Sequence, residues 1–180
     1  MTDEATIIQH VLEGDAESFG LLVERYERPV VRMIRNVTGD MQMCEDLAQD
    51  VFLTAFANLK TFDPARSEFS TWLLTIARNK SINALKKKRP RLLAAPPEPL
   101  DAGSPLEALT QQEAFARLDR ALMSLPRRQR QAFVLIECEG LSYEQAARIE
   151  AARPGTIKSR VHRAKTRLAD VLQTIEANHK

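Results

Sequence analysis

The sequence predicts an all-α protein in which two small helical domains are joined by a Pro-rich linker. Only six of the 180 residues are glycine and only ten are aromatic, a composition that favours helix over sheet. Apolar residues recur at helical spacing through most of the chain. Residues 90–105, PRLLAAPPEPLDAGSP, contain five prolines, which is typical of a stiff linker. We therefore predict an N-terminal domain over 1–90, a linker over 91–108 and a C-terminal domain over 109–180.

The same sequence excludes several classes of function. No uncharged apolar stretch is long enough to span a membrane, and MTDEATIIQH at the N-terminus lacks the basic region of a signal peptide, so we expect a cytoplasmic protein. Cys44 and Cys138 form no CxxC pair, and the three histidines share no metal-ligand spacing. Phosphate-binding loops and catalytic motifs are also missing from the sequence. We therefore expect no enzyme activity, no cofactor, no metal and no small-molecule substrate.

The first predicted element is a helix after Asp15, which is placed as an N-cap. Gly39 is placed to end this helix. Pro29 falls inside the apolar pattern and predicts a kink or a break. The apolar positions that define the helix are Phe19, Leu22, Val23, Tyr26, Val30, Met33, Ile34 and Val37.

Two more helical segments complete the predicted N-terminal domain. One covers 41–59, where Phe52, Leu53 and Phe56 make the apolar surface wider than a single buried face requires. The other follows the turn-rich segment TFDPARSEFS and covers 71–89, with Trp72 expected in the core. Its end, KKKR, carries more positive charge than the helix dipole alone would explain.

The C-terminal domain is predicted to end in a helix-turn-helix. Amphipathic helices are expected over 106–125 and 127–139. Ser142 and Gln145 have the spacing of a capping box and begin a short helix. After the connection EAAR, Pro154 is placed to begin the last long helix.

This last helix begins within the most basic segment of the chain. Residues 153–167, RPGTIKSRVHRAKTR, include six Lys or Arg and no acid, although the whole chain has 26 basic and 24 acidic residues. On a helical wheel, the apolar residues share one face, and hydroxyl and guanidinium groups share the other. Arg can make two hydrogen bonds to guanine, and Ser, Thr and Lys suit phosphates. The pattern therefore favours DNA binding over a merely solvated basic face.

Several ordered motifs resemble bacterial RNA polymerase sigma factors of the extracytoplasmic-function type. LPRRQRQAFVLIECEGLSYEQAARI and RPGTIKSRVHRAKTRL are similar to the promoter-binding C-terminal domain of that family. SFGLLVERYERPVVRMIRNVTGD, CEDLAQDVFLTAFANLKTFDP and FSTWLLTIARNKSINALKKKRP are similar to its N-terminal domain, in the same order. The family usually has Leu-Gly-Ile where this chain has Glu150-Ala151-Ala152, which is a departure within the turn.

The resemblance implies a transcription initiation factor that acts with core RNA polymerase. Such a protein contacts the clamp helices of the largest polymerase subunit and the flap, recognises two promoter DNA elements about two helical turns apart, and helps to melt the DNA. The polymerase performs the chemistry. Family members are usually held inactive by an anti-sigma factor, soluble or membrane-bound, so the resemblance also implies control by such a partner in a stress, envelope or metal response.

The resemblance also assigns site residues. It implies core polymerase binding by Asp46, Gln49, Asp50, Phe52 and Leu53. It implies −10 element binding by Phe62, Arg66, Ser67, Phe69, Ser70, Thr71, Asn79, Lys80, Asn83 and Lys86. It implies −35 element binding by Thr156, Lys158, Ser159, Arg160, Arg163 and Arg167. One alternative stays open at this stage, which is a conventional helix-turn-helix regulator that binds DNA without acting as a polymerase subunit.

Overall fold

The computed structural model describes residues 3–88 and 118–177, with side chains described as far as residue 171. Within those residues every regular element is a helix, as the sequence predicts. Short 3₁₀ segments lie at Ala16–Ser18 and Leu59–Thr61, and a π-helical turn lies at Val134–Cys138. The helices are α1 (Glu4–Leu12), α2 (Phe19–Thr38), α3 (Cys44–Ala57), α4 (Phe69–Lys88), α5 (described over 118–124), α6 (Arg127–Phe133), α7 (Tyr143–Glu150) and α8 (Pro154–Ala177).

In the N-terminal domain, α2 packs against both α3 and α4, and α3 also packs against α4. Their apolar stripes meet in one core, in which Leu22, Val51 and Leu73 have no exposed surface. Burial of such a side chain contributes about 1.5–3 kcal/mol, so this three-helix contact stabilises the domain. The core leaves the opposite face of α3 toward solvent, and α4 is left able to contact a further helix on its other side.

The structure differs from the sequence prediction at two places in this domain. Helix α2 continues through Pro29, so the break, one of the two predicted outcomes, does not occur, and the buried residues that follow the proline, beginning with Val30, hold the helix against its neighbours. The sequence analysis also missed α1. The spacing of Ile7, Ile8 and Val11, all of them buried, was the signal that could have revealed it.

The C-terminal domain contains the expected helix-turn-helix, formed by α7 and α8. Both hydrogen bonds of the predicted capping box are present between Ser142 and Gln145. Helix α8 packs against α6 and α7. A small core lies between α5 and α8, where Ala121 and Leu125 meet Ala164 and Leu168. The predicted linker over 91–108 and most of the helix expected over 106–125 lie outside the described residues.

The turn between α7 and α8 contains a strained residue. Ala151 has φ 48° and ψ 50°, which is the left-handed region. It is the one residue other than glycine with a positive φ in the part of the chain that the structure describes. A Cβ costs about 1–2 kcal/mol in that region, and glycine avoids this cost.

Ala151→Gly is therefore expected to stabilise the protein, by about 0.5–1 kcal/mol after the added entropy of the unfolded chain is subtracted. Urea unfolding followed by circular dichroism measures this free energy. Ala169→Gly is the matched control, because Ala169 is exposed within α8 and should lose about 1 kcal/mol on the same substitution. A loss of stability in both variants would contradict the assignment of strain to Ala151.

The two domains are in direct contact. Helix α7 packs on α4 and α6 packs on α2, so one buried cluster continues from the N-terminal domain into the helix-turn-helix. Arg130 is almost fully buried, and its guanidinium donates to the Asn36 carbonyl of α2 from Nε at 3.1 Å and from Nη2 at 2.9 Å. Its Nη1 donates to the Met123 carbonyl in its own domain at 3.0 Å.

A second contact between the domains pairs Arg32 of α2 with Glu139. Arg32 Nη1 lies 2.7 Å from Glu139 Oε1, and the Glu139 side chain is 10% exposed. Burial raises the pKa of Glu139, while the charge and hydrogen bond of Arg32 act in the opposite direction. Burial therefore has the larger effect on this carboxyl group, and Arg32 limits the rise.

Arg32→Ala is expected to raise the pKa of Glu139 further, which a carboxyl-carbon NMR titration measures. Because the folded carboxyl has the higher pKa, its contribution to stability is present at low pH and is lost as the pH rises through that pKa. The variant should therefore lose more stability at neutral pH than in acid, where Glu139 is protonated. An unchanged or lower pKa in the variant would show that Arg32 does not act on this carboxyl group.

Candidate nucleic-acid interface

Residues 154–167, at the start of α8, present an exposed polar face. Ile157 and Val161 point into the core, with exposed fractions of 0% and 2%. The opposite side is exposed and is contiguous along successive helical turns. Because it is basic and carries no carboxylate of its own, this face suits a nucleic acid. Its exposed members among the predicted −35 residues are Thr156, Lys158, Ser159, Arg163 and Arg167.

Arg160 is placed differently from the other predicted −35 residues. Its side chain is 15% exposed, and its Nη1 lies 3.4 Å from Glu150 Oε2. The Glu150 side chain is 1% exposed and also binds Arg78 of α4, with Arg78 Nε 3.0 Å from Glu150 Oε1. Arg160 therefore joins α7 to α8, and its guanidinium is turned away from the exposed face.

His162, which is not among the predicted −35 residues, also lies on the exposed face of α8. It is exposed, and it lies four residues after Lys158 and three after Ser159, which puts these side chains on the same side of the helix. Its imidazole can donate or accept a hydrogen bond at a base edge. Position 162 does not belong to the buried apolar stripe of α8. That position outside the stripe was the sequence signal that could have added His162 to the predicted −35 site.

The second candidate surface is the loop between α3 and α4. The Asp63 side chain accepts a hydrogen bond from the Ala65 backbone N–H, and the Asp63 carbonyl accepts one from the Arg66 N–H. These bonds shape the turn. Arg66 points into solvent with its side chain 85% exposed.

An aromatic cluster supports this loop from below. The ring centroid of Phe62 lies 5.5 Å from those of Phe69 and Trp72, and the Phe69 centroid lies 5.5 Å from that of Tyr26. Phe69 is 1% exposed, whereas Phe62 and Trp72 are partly buried. The cluster anchors the loop to the start of α4, and Trp72 packs against the core as the sequence analysis expected.

The predicted −10 residues thus fall into an exposed and a buried group. Phe69 and Thr71 are buried, so in this conformation they support the loop and do not line its surface. Lys80 is partly buried, and its Nζ lies 3.2 Å from Asp50 Oδ2. Ser67 and Ser70 are partly exposed, and the fully exposed members are Arg66, Asn79, Asn83 and Lys86.

The third candidate surface is the outer face of α3. Asp46, Gln49, Asp50 and Leu53 are all exposed, and their spacing of three or four residues puts them on one side of the helix. Leu53 is 67% exposed, which makes it the most exposed large apolar residue among those described. Phe52, which the sequence analysis assigned to the same site, is 8% exposed and packs into the domain core.

Phe56 extends this surface by one further turn of α3. It is 42% exposed, and its ring packs edge-on against Phe19 with centroids 5.1 Å apart. We call the set Asp46, Gln49, Asp50, Leu53 and Phe56 the α3 outer face. Exposed apolar side chains are typical of a protein-binding surface, and carboxylates are unfavourable beside the phosphates of DNA.

Other kinds of site find no support in the described part of the chain. Over 3–88 and 118–177, no three His, Cys, Asp or Glu side chains are grouped so that they could hold a metal ion. None of the helices described there is long and apolar enough to cross a membrane.

Comparison with known proteins identifies two regions of one protein family in this chain. Residues 22–91 match the family model for sigma-70 region 2, and residues 115–168 match that for sigma-70 region 4. The chain is 32% identical to the ECF RNA polymerase sigma-E factor of Haemophilus influenzae, covering 97% of each chain. It is also 32% identical to the RNA polymerase sigma-H factor of Pseudomonas aeruginosa, covering 94% of this chain and 93% of the relative.

Solved structures show the same fold. The sigma factor RpoE of Bartonella quintana, in complex with the anti-sigma factor NepR, is similar with a TM-score of 0.70 and 29% identity over 87% of this chain and 98% of RpoE. Two sigma-70 regions in order, whole-length relatives above 30% identity and a matching fold all indicate the same family. The chain belongs to the extracytoplasmic-function family of RNA polymerase sigma factors.

Proposed function

We propose that this sigma factor binds core RNA polymerase through the α3 outer face and positions the enzyme at promoters through two separate DNA-contacting surfaces. The polymerase performs RNA synthesis, and the sigma factor supplies binding and DNA opening. The α3 outer face is the observation that carries the proposal, because a regulator that only binds DNA has no need of an exposed acidic and apolar surface in its other domain. The clamp helices of the largest polymerase subunit, together with the flap, are the proposed partners.

The −10 element is assigned to the loop between α3 and α4. An exposed arginine above an aromatic cluster suits an unstacked base, because the guanidinium can hydrogen-bond to the base while aromatic rings offer a stacking surface. Phe62 is the ring of the cluster nearest to the loop, and Ser67 and Ser70 add hydroxyl groups. Asn79, Asn83 and Lys86 continue along α4, where they can follow the sugar–phosphate backbone.

The −35 element is assigned to the exposed face of α8. Lys158, Ser159 and Arg163 would reach base edges in the major groove. Thr156 and Arg167 flank them and suit phosphates. Arg160 is assigned to positioning the recognition helix through Glu150.

An anti-sigma factor is the proposed regulator, by analogy with the relatives crystallised with such partners. It would cover the surfaces that bind polymerase and release the sigma factor in response to a stress, envelope or metal signal. A membrane-bound anti-sigma factor would hold an otherwise cytoplasmic sigma factor at the membrane.

Selection from a random DNA library tests the proposal. With core polymerase, the protein should enrich duplexes that carry two different motifs at a fixed spacing. The conventional regulator is the competing hypothesis, and it predicts that the isolated protein enriches a palindrome. Recovery of a palindrome by the isolated protein, with no added motif when polymerase is present, would contradict the sigma-factor mechanism.

A further inference from the structure

The contacts between the two domains involve the elements that are proposed to read DNA. Arg148 of α7 donates from Nη1 to the carbonyl of Arg66 in the −10 loop, at 2.6 Å. Helix α7 as a whole packs on α4, which carries the residues proposed to follow the −10 strand. The helix-turn-helix domain is therefore held beside the −10 loop by the loop's main chain, while the side chains of Arg66, Asn79 and Asn83 stay exposed.

This arrangement is too compact to span a promoter. Helix α8 begins at Pro154, six residues after Arg148, and six residues extend at most about 20 Å. Two turns of B-DNA extend about 70 Å. A chain with these domain contacts therefore cannot place its −10 loop and the start of α8 on two elements that lie two turns apart.

A buried carboxylate lies at the centre of the contact. Glu150 is the last residue of α7, and its side chain is held between Arg78 of the N-terminal domain and Arg160 of its own domain. Arg78 also donates from Nη2 to the main-chain carbonyl of Glu150, at 3.3 Å. A cation at the C-terminal end of a helix is additionally favoured by the helix dipole.

The charges at this contact depend on one another. A carboxylate that is 1% exposed is unfavourable unless cations and hydrogen bonds compensate it. When the domains separate, Arg160 stays with Glu150 and Arg78 leaves with α4. Removal of Arg78 from the closed chain would leave the Glu150 carboxylate buried with only one cation, Arg160. Because water reaches this carboxylate when the domains separate, the loss of Arg78 favours the separated state.

We propose that Glu150 and Arg78 form an autoinhibitory latch, which holds the chain closed and must open before both promoter elements can be bound. This proposal rests on the function proposed above. Arg130 supports the latch from α6 through its two hydrogen bonds to the Asn36 carbonyl. The family pattern has Leu at the position of Glu150, and a leucine could not bind Arg78 in this way.

Arg78→Ala and Glu150→Gln test the latch, because they change the net charge in opposite directions yet should both open the chain. Spin labels at E24C and A169C, two exposed positions in different domains, report the distance between the domains by pulsed electron resonance in a C138S background. In the chain with an unaltered latch, most molecules should show a short distance between the two spin labels. Each latch variant should raise the ratio of long to short distances about fivefold or more.

Matched controls separate the latch from a general effect of charge. Arg25 pairs with Glu4 inside the N-terminal domain at 3.7 Å, so Arg25→Ala removes a cation without touching the contact. Glu144 is exposed on α7, so Glu144→Gln removes an acid there. Both controls should keep the short distance. Equal distributions in all variants, or changes of opposite sign in Arg78→Ala and Glu150→Gln, would overturn the latch.

Failure of the latch and failure of the proposed function give different results. The distance measurement uses no polymerase, so it tests closure whether or not the protein initiates transcription. Binding of a labelled promoter duplex that carries both motifs, selected as above, tests inhibition, and Arg78→Ala should bind it about fivefold or more tightly than the unaltered chain. Opening without any gain in binding would leave the contact structural and would overturn its autoinhibitory role.

Discussion

Leu53→Asp is expected to abolish formation of the complex with core RNA polymerase while leaving the fold intact. Leu53 is 67% exposed, so its replacement should change the free energy of unfolding by no more than about 0.5 kcal/mol. At a protein interface the same change removes a central apolar contact and buries a carboxylate, a combination that costs several kcal/mol. We expect the affinity for core polymerase to fall at least about 100-fold.

Fluorescence anisotropy with labelled sigma factor and increasing core polymerase measures this loss. Leu12→Asp is the matched control, because Leu12 is 43% exposed at the end of α1 and lies outside the α3 outer face. Its affinity should stay within about twofold of the unaltered chain. Equal affinities for Leu53→Asp and the control would remove the α3 outer face from the proposed polymerase site.

Arg163→Ala is expected to weaken promoter recognition at particular bases of the −35 element. Arg163 is exposed on α8 and is free to enter the major groove, where a two-bond contact to guanine discriminates by about 1–3 kcal/mol. The loss should therefore be large on the selected promoter and small on promoters already altered at the contacted bases. Transcription from a set of single-base promoter variants measures this pattern.

Arg160→Ala should give a different pattern, although the two arginines are only three residues apart. Its side chain is 15% exposed and binds Glu150, so the substitution acts through the position of α8. We expect a loss that is uniform across promoter variants, together with a lower midpoint of thermal unfolding. Base-specific loss in Arg160→Ala and uniform loss in Arg163→Ala would reverse the assignment of the two residues.

Helical periodicity and capping residues were sufficient to predict most of the fold. The capping box at Ser142 and the helix start at Pro154 depend on neighbours within a few residues, which a sequence displays directly. The continuity of α2 through Pro29 was not predicted, because it depends on packing against other helices that local rules do not include.

The candidate sites were predicted in outline only. Motifs identified the candidate segments, but side-chain direction depends on which face of each helix is buried. Phe52 and Phe69 turned inward, and His162 turned out to be exposed on the recognition face. Glu150 binds Arg160, and it also binds Arg78, which lies 72 residues earlier in the chain. These contacts depend on the tertiary structure, and no local sequence pattern indicates them.

The central claim is that this protein is a polymerase subunit that initiates transcription at two-element promoters. Run-off transcription on a selected promoter, with core polymerase and purified sigma factor, tests it most directly. We predict a discrete transcript that requires both proteins, that disappears with Leu53→Asp and that persists with Leu12→Asp. No transcript at saturating sigma factor, or one equally strong with Leu53→Asp, would contradict the account.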